Sequence, residues 1–263
     1  MIATARTILF VPGDRPDRFD RAASSADEVI IDLEDAVPHA RKGFARRAAI
    51  EWLGSERRAL VRVNADEALL TADLEAVGLS ASAVVLPMCR GPQDVERVHA
   101  LVGDTVPVVA LIETAFGVLA ADRIARSPGV VRLALGNLDL AADLDVAPND
   151  YEALRMARSS LVLASAAVGL PGPIDGVTTD IGDHARTRDD ARRARRLGMT
   201  AKLCIHPAQV PAAHEGMAPD DETVAWARAV IATDTAGVGV LNGQMVDAPV
   251  VARARRVLAG LHG

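Results

Sequence analysis

Short runs of apolar residues alternate along the chain with segments of helical periodicity. The clearest run covers residues 108–112, where every position is apolar, and it ends at the carboxylate of Glu113. Such a run predicts a strand that is buried on both faces. Further runs predict seven more strands, at residues 7–11, 28–31, 59–63, 83–86, 131–135, 173–177 and 201–205.

The segments between these runs have the spacing of amphipathic helices. Phe44, Ala48 and Trp52 recur at every fourth position, which places them on one helical face. A long helix is predicted over residues 151–168, because Gly169 follows as a helix stop signal. Similar apolar spacing predicts helices around residues 95–102, 189–197 and 224–231.

Strands that alternate with helices in this way predict an α/β protein with a (β/α)₈ barrel. An open doubly wound sheet is the alternative, but it usually has fewer strands, and no G-x-G-x-x-G loop follows a strand here. We predict a barrel core over residues 1–206 and a C-terminal helical extension and lid over 207–263, within the same domain. The extension exceeds what a barrel needs, so we expect it to reach a neighbouring subunit.

Composition and charge narrow the class of protein. Half of the residues are apolar but only 3% are aromatic, so aliphatic side chains form the core. The net charge of −6, without a basic patch, argues against a nucleic-acid partner. Cys89 and Cys204 lack metal-ligand spacing and indicate reduced thiols. We expect a cytoplasmic protein with no membrane partner, because no run reaches the roughly 20 apolar residues of a membrane span and the N-terminus lacks a signal segment.

Polar residues cluster where the predicted strands end. Catalytic groups of a barrel lie at the carboxyl ends of its strands, and only the fourth strand has no obvious candidate there. The candidates are Asp14 and Arg15 after the first strand, Asp32, Glu34 and Asp35 after the second, Arg62 and Asn64 in or after the third, Glu113 after the fifth, Asp139 after the sixth, Asp175 in the seventh, and Lys202 and His206 flanking the eighth.

Glu113 and Asp139 lie at the ends of two successive strands, and we predict that they hold one Mg²⁺. Neighbouring carboxylates repel each other unless they are protonated or paired with a cation. Mg²⁺ prefers oxygen ligands and is often held by one or two carboxylates together with water and substrate. Glu113 would therefore also lie against the substrate, and the planar fork of Arg62 would bind an anionic group of it.

Each candidate also has a structural interpretation. Glu113 and Asp139 are alternatively caps of the helices or turns that follow them. Arg62 is alternatively an ion-pair partner inside the barrel. His206 before Pro207 is alternatively a structural residue.

The acidic cluster after the second strand cannot be entirely functional. We expect at least one of Asp32, Glu34 and Asp35 to cap the following turn, or to pair with Arg41 or Lys42.

Several motifs together resemble one known family. They are LFVPGDRP at residues 9–16, DLEDAV at 32–37, VRVN at 61–64, IETA at 112–115, CIHPAQV at 204–210 and GQMVDAP at 243–249. In this order they resemble the citrate lyase β-subunit-like proteins of the HpcH/HpaI aldolase superfamily, which includes malyl-CoA and citramalyl-CoA lyases. The resemblance covers nearly the whole chain.

The resemblance implies a Mg²⁺-dependent carbon–carbon lyase. Its substrate would be a 3-hydroxyacyl-CoA thioester such as citryl-, malyl- or citramalyl-CoA, cleaved to (or formed from) a small keto acid and an acyl-CoA. The family also implies a homotrimer or hexamer. Two departures are LPM at residues 86–88, where relatives usually have LPK, and Leu138, where many relatives have Glu. A stand-alone enzyme is expected rather than a citrate lyase subunit.

The same resemblance implies roles for individual residues. Glu113 and Asp139 are similar to the metal ligands, and Arg62 resembles the residue that holds the substrate carboxylate. Asp247 resembles a lid carboxylate that enters from the neighbouring subunit and takes part in proton transfer. Glu34 and Asp35 resemble residues that contact metal-bound water without binding the metal themselves. Arg15 and Arg18 either contact CoA phosphates or belong to a solvated turn.

Three other functions remain open. A malyl-CoA-type thioesterase would use the same metal site but release free CoA. A class I aldolase would form a Schiff base through Lys202, although this residue is placed at the start of the eighth strand, away from the expected site. A CoA-binding or scaffolding protein with a residual site is the non-enzymatic alternative.

Overall fold

The computed structural model describes residues 2–54, 57–233 and 238–260. Eight parallel strands close into a barrel in chain order, which confirms the predicted (β/α)₈ fold. The strands are β1 (Thr7–Pro12), β2 (Glu28–Asp32), β3 (Leu60–Arg62), β4 (Ala83–Leu86), β5 (Val108–Ile112), β6 (Val130–Leu135), β7 (Ile174–Asp175) and β8 (Ala201–Cys204). The barrel closes where Thr7 of β1 pairs with Lys202 of β8.

Helices connect the strands and continue beyond β8. They are α1 (Phe19–Ala23), α2 (Lys42–Leu53), α3 (Glu67–Val77), α4 (Pro92–Val102), α5 (Ala115–Leu119), α6 (Ala121–Ala125), α7 (Asn137–Asp143), α8 (Arg155–Ala167), α9 (His184–Leu197), α10 (Val210–Met217), α11 (Asp221–Ala232) and α12 (Ala248–Ala259). Gly198, at a φ of +104°, ends α9 in the left-handed conformation that glycine favours. Within the described ranges, no helix has the length and apolarity that crossing a membrane requires.

Both faces of the strands are buried. Alternate residues of a strand point to opposite faces of the sheet. One set fills the barrel interior and includes Ile8, Ile30, Leu60, Val85, Val109, Leu111, Ala134, Ile174, Ala201 and Leu203. The other set packs against the helices and includes Leu9, Val29, Val61, Val84, Ala110 and Leu133. This double burial explains the continuous apolar runs of the sequence.

Arg132 ties the N-terminal segment to the amino ends of the last strands. Its side chain is fully buried, and it donates hydrogen bonds to the carbonyl oxygens of Ile2 (2.6 Å), Ala5 (3.0 Å) and Gly172 (2.9 Å) and to Thr200 Oγ1 (2.8 Å). Burial lowers the pKa of Arg132 to about 10, so the guanidinium remains charged at neutral pH.

Two predicted elements are clearly shorter in the structure. β7 is much shorter than the predicted strand 173–177, and α8 starts at Arg155 rather than at residue 151. The side chain of Asp150 accepts hydrogen bonds from the backbone N–H groups of Glu152 (3.0 Å) and Ala153 (3.2 Å). This side-chain turn competes with helix formation before Arg155.

The C-terminal segment has its own apolar cluster. α11, predicted from its spacing, is present, and it packs on α12. Between them lies a hairpin, β9 (Gly239–Leu241) and β10 (Gln244–Val246), which the sequence analysis did not predict. Asn242 and Gly243 both have positive φ at its turn, as a two-residue type I′ hairpin requires.

Candidate active site

A cavity of about 360 Å³ opens at the carboxyl end of the barrel. One part of its wall is polar and comes from the ends of β2, β3, β5 and β6, namely Asp32, Asp35, Arg62, Glu113, Asn137 and Asp139. The rest is apolar, from Phe10, Pro12, Ala36, Leu111, Leu135, Leu138, Val177, Leu203 and Ile205. The structure thus brings Glu113, Asp139, Arg62 and Asp35, four of the predicted site residues, into one cavity.

Glu113 is the buried carboxyl group of this cavity. It follows the interior positions Val109 and Leu111 on β5, so its side chain enters the barrel mouth, where it is only 3% exposed. The backbone N–H of Met88 donates to its Oε1 atom over 2.6 Å. Burial raises the pKa of Glu113 to about 7, the hydrogen bond from Met88 opposes this rise, and the nearby charge of Asp139 adds to it.

The pair of Glu113 and Asp139 is suited to a hard cation. Asp139 lies in the first turn of α7, directly after β6. In the described chain, no group donates a hydrogen bond to Glu113 Oε2. Gly136 leaves open the space next to this oxygen, which a Cβ atom at that position would fill. The described residues contain no group of three His, Cys, Asp or Glu side chains suited to a metal, so a cation here would need water or substrate as further ligands.

Arg62 is held by a cage of carboxylates. Its Nε and Nη2 atoms donate to the two carboxylate oxygens of Asp32, each over 2.7 Å. Its Nη1 atom lies 3.0 Å from Glu34 Oε2 and 3.4 Å from Asp35 Oδ2. The guanidinium also lies 5.0 Å from the centre of the Phe10 ring. Both interpretations of Arg62 are therefore compatible with its position, because it is ion-paired and it also lines the cavity.

Asp32 is the structural member of the acidic cluster. Besides binding Arg62, it accepts hydrogen bonds from the backbone N–H groups of Glu34 (2.9 Å) and Ala36 (3.1 Å), so it caps the turn after β2 as expected for one of the three acids. Lys42 donates to the carbonyl oxygens of residues 33 and 34 rather than to a carboxylate. Arg41 instead pairs with Asp14 over 2.6 Å.

The carboxyl group of Glu34 contacts Arg62 Nη1, whereas Asp32 binds the Nε and Nη2 atoms of the same guanidinium. Burial raises the pKa of Glu34 to about 8, although the charge of Arg62 lowers it. At neutral pH this carboxyl group therefore carries a proton in much of the population. A carboxyl that holds or releases a proton near pH 7 is suited to proton transfer.

Arg15 lies outside the cavity. Its guanidinium pairs with Asp17 over 2.8 Å, and both side chains are exposed. A groove of about 270 Å³ adjoins the cavity and is lined instead by Arg18, Arg21 and His206, with Phe10, Pro12 and Ile205 shared between the two. His206 Nδ1 accepts a hydrogen bond from the backbone N–H of Ala208, which fits the structural interpretation of this residue.

Asp247 lies in the C-terminal segment, away from the cavity of its own chain. Its side chain caps α12 by accepting a hydrogen bond from the backbone N–H of Val250 over 3.2 Å. It lines a separate surface groove with Val238, Pro249 and Arg255.

Asp175 and Lys202 do not belong to the cavity, although both were candidates because of their places in the last two strands. They alternate with Ile174, Ala201 and Leu203, which face the interior, so both side chains lie on the helix side of the barrel wall. Lys202 Nζ binds Asp175 Oδ2 (3.1 Å) and the Gly176 carbonyl (2.6 Å). A Schiff base with a substrate in the barrel would require this lysine on the other face.

Two contributions to the site were missed from the sequence. The N–H group of Met88 has no sequence signature, because any residue other than proline supplies one. Asn137 binds Val177 N–H through Oδ1 (2.7 Å) and the Val177 carbonyl through Nδ2 (3.1 Å), joining the ends of β6 and β7. The strand-end rule itself would have found Asn137, since it directly follows Gly136.

Comparison with known proteins places the chain in a family. Residues 6–207 match the HpcH/HpaI aldolase/citrate lyase family, and the chain belongs to it. A citrate lyase subunit beta-like protein of Mycobacterium tuberculosis (strain H37Rv) is 38% identical, covering 95% of this chain and 93% of that protein. A (3S)-malyl-CoA thioesterase of Cereibacter sphaeroides (strain KD131) is 34% identical, covering 97% of this chain and 93% of that protein.

A solved structure agrees with the fold over the whole length. The crystal structure of CitE from Mycobacterium tuberculosis in complex with magnesium, acetoacetate and coenzyme A superposes with a TM-score of 0.88 at 35% identity, covering 100% of both chains. The resemblance inferred from the motifs is therefore confirmed at the level of the family.

Proposed function

We propose that this member of the HpcH/HpaI aldolase/citrate lyase family is a Mg²⁺-dependent carbon–carbon lyase acting on a 3-hydroxyacyl-CoA thioester of the citryl-, malyl- or citramalyl-CoA type. The observation that carries the proposal is the meeting of Glu113 and Asp139 beside Arg62 in one cavity at the carboxyl end of the barrel. The related CitE crystallised with magnesium, acetoacetate and coenzyme A supports the choice of ligands.

Glu113 and Asp139 would hold the metal. Gly136 leaves open space beside Glu113 Oε2, and the metal would reach the carboxylate through this space. When bound, Mg²⁺ supplies Lewis-acid stabilisation of the negative charge that develops on the keto-acid oxygen. The proton that Glu113 retains near neutral pH would leave as the cation binds.

The surrounding residues would orient the substrate and move protons. Asp32 occupies the Nε and Nη2 edge of Arg62, so a substrate carboxylate would bind at Nη1 by displacing Glu34 or Asp35. The ionised form of Glu34 or Asp35 would accept the proton of the substrate hydroxyl group, directly or through water. The C–C bond then breaks, and its electron pair forms the enolate of the acyl-CoA product.

Asp247 would complete the reaction by donating a proton to this enolate. Because Asp247 lines a groove separate from the cavity of its own chain, we assign it to the cavity of a neighbouring copy. The C-terminal segment, residues 207–263, would then act as a lid between subunits of a homotrimer or hexamer.

The CoA part of the substrate would lie in the groove that adjoins the cavity. This groove carries Arg18 and Arg21, and guanidinium groups bind phosphate well. Arg15 is the third arginine of this region, and it would join them only after leaving Asp17.

The test is turnover of a panel of malyl-, citramalyl- and citryl-CoA, with Mg²⁺ and with EDTA, following keto acid and free thiol together. The proposal expects keto acid release that requires metal and leaves the acyl-CoA thioester intact. Keto acid release that is indifferent to EDTA would overturn the role of Glu113 and Asp139.

A malyl-CoA-type thioesterase is the second candidate, favoured by the 34% identical (3S)-malyl-CoA thioesterase. It would use the same metal site for hydrolysis. Free thiol without acyl-CoA product in the same assay would select it. The class I mechanism through Lys202 lacks support, since that lysine is ion-paired outside the barrel.

A further inference from the structure

A second cavity, of about 130 Å³, lies on the helix side of the barrel wall near β7 and β8. Its polar wall includes Asn137, Tyr151, Arg158, Arg186, Asp190 and Lys202. We propose that it is a binding site for a small oxyanion of the size of inorganic phosphate or a short-chain carboxylate. The proposal does not depend on the reaction assigned to the barrel mouth.

Two buried hydrogen-bonding groups in this wall have no partner among the described residues. The side chain of Arg158 is 6% exposed, and its Nε atom donates a hydrogen bond to Asp175 Oδ1 over 2.7 Å. Within the described part of the chain, nothing accepts a hydrogen bond from the buried Arg158 Nη1, and nothing pairs with the buried hydroxyl group of Tyr151. Buried polar atoms are normally satisfied by protein groups or by ordered molecules, so these two groups in one cavity are available to a shared acceptor.

The two groups belong to one arrangement. The Arg158 guanidinium lies over the Tyr151 ring, 4.5 Å from its centre, so the two side chains are in direct contact. Burial raises the pKa of Tyr151 to about 12, and its phenol therefore remains a hydrogen-bond donor at neutral pH.

The charges next to these donors favour an anion. Arg158 and Lys202 share a single carboxylate, that of Asp175, which leaves one positive charge uncompensated. Asp190 does not compensate it, because Asp190 is already bound by Arg186 Nε (3.0 Å) and Thr178 Oγ1 (2.9 Å).

Two further carboxylates reach the edge of the cavity. Asp183 accepts a hydrogen bond from the backbone N–H of Arg186 (2.8 Å), and Asp180 accepts from those of Gly182 (2.9 Å) and Asp183 (3.1 Å). Both acids are exposed, so solvent screens their charge. The interior therefore has a surplus of donors and of positive charge.

Asn137 separates this cavity from the barrel mouth. It lines both cavities, and its amide is bound to Val177 and to the Pro148 carbonyl (3.3 Å). Its hydrogen-bonding groups are thus engaged within the protein, and it acts as a partition rather than as a ligand. An oxyanion in the second cavity would be distinct from a substrate in the first.

The chain contains one tyrosine, so this site has a unique spectroscopic reporter. The full chain, labelled with 3-fluorotyrosine, would be titrated in EDTA with phosphate, with acetate and with chloride at constant ionic strength, and followed by ¹⁹F NMR. We expect a saturable change in the ¹⁹F chemical shift with phosphate or with acetate but not with chloride. The anion of these two that binds more tightly identifies the ligand class. An equal response to chloride would mean an adventitious ion only and would overturn the proposal.

Variants then locate the binding. Arg158→Lys keeps a cation beside Asp175 but removes the unpaired Nη1 donor, and its affinity for the oxyanion should fall about tenfold or more. Arg155→Lys is the matched control, because Arg155 begins the same helix and its side chain is exposed and paired with Glu152. Unchanged affinity in Arg158→Lys would refute the site.

Tyr151→Phe gives an independent test if Arg158→Lys does not fold. Since no described residue pairs with the hydroxyl group, the melting temperature of Tyr151→Phe in oxyanion-free buffer should equal that of the parent protein. Its stabilisation by the oxyanion, measured by thermal shift and calorimetry, should be reduced several-fold. Full stabilisation of Tyr151→Phe by the oxyanion would contradict the proposal.

Discussion

The buried carboxylate of Asp175 lies between two buried cations, and its removal should be strongly destabilising. Arg158 Nε and Lys202 Nζ approach its two oxygens at 2.7 and 3.1 Å, and the side chains of Asp175 and Lys202 are 0% and 1% exposed. Asp175→Asn keeps the volume but leaves both cations without a carboxylate. Breaking a buried pair in this way costs about 3–5 kcal/mol.

The expected loss is large enough to measure directly. At about 2–4 °C per kcal/mol for a chain of this size, the melting temperature of Asp175→Asn should fall by roughly 6–20 °C. Urea unfolding should give the same loss of unfolding free energy. Asp189→Asn is the control, because Asp189 is 57% exposed and lies 3.8 Å from Arg192. Exposed pairs contribute only about 0–1 kcal/mol.

The pH dependence of stability gives a second assay of the same carboxylate. Burial raises the pKa of Asp175, but the charges of Lys202 and Arg158 and their hydrogen bonds outweigh burial and lower it below 3.8. Asp175 is therefore ionised in the folded state at a pH where the unfolded chain has begun to bind a proton. Its contribution to stability is present above the pKa that Asp175 has in the unfolded chain. This contribution is lost as the pH falls through the lower pKa of the folded state.

Two results would refute this reasoning. One is a loss of unfolding free energy in Asp175→Asn that is no larger than the loss in Asp189→Asn. This would mean that the two cations do not need the carboxylate. The other is an acid-side stability curve that keeps its slope in Asp175→Asn. In that case other carboxyl groups would account for the pH dependence.

Three further predictions concern other parts of the molecule. Gly136→Ala should lower kcat/KM about 100-fold or more without unfolding the protein, because the new Cβ displaces Glu113. Gly182→Ala is the control and should leave kcat/KM unchanged, because its Cβ would meet only Asp180 Oδ1 at 3.6 Å. Equal kinetics in both variants would argue against the site. Iodoacetamide should spare both cysteines of the native protein and modify them in urea, as seen by mass spectrometry, because both are buried and burial raises the pKa of each thiol to about 12. Arg132→Met should lower the urea-unfolding free energy by at least about 2 kcal/mol, because it leaves buried acceptors unpaired; a smaller loss would show that the N-terminal segment does not depend on this guanidinium.

The architecture followed from local sequence patterns. Apolar runs such as residues 108–112 specify strands wherever both faces are buried, and Gly198 ends its helix because glycine accepts positive φ. The hairpin at Asn242 and Gly243 lies outside the predicted elements, although its Asn-Gly turn is a strong local signal. Local patterns thus indicated the order of the eight barrel strands, and the strand ends together with the family motifs indicated the candidate residues.

Tertiary structure decided which polar residues share a cavity. Glu113 and Asp175 both lie at strand ends, but Glu113 faces the barrel interior and Asp175 faces the helices. Because both faces of these strands are apolar, the sequence has no two-residue alternation to show which face is which. The pairing of β2 with β3 also set the contacts of Arg62 with Asp32, which lie opposite each other in the two strands. Such contacts between separate strands have no trace in the spacing of residues along the chain.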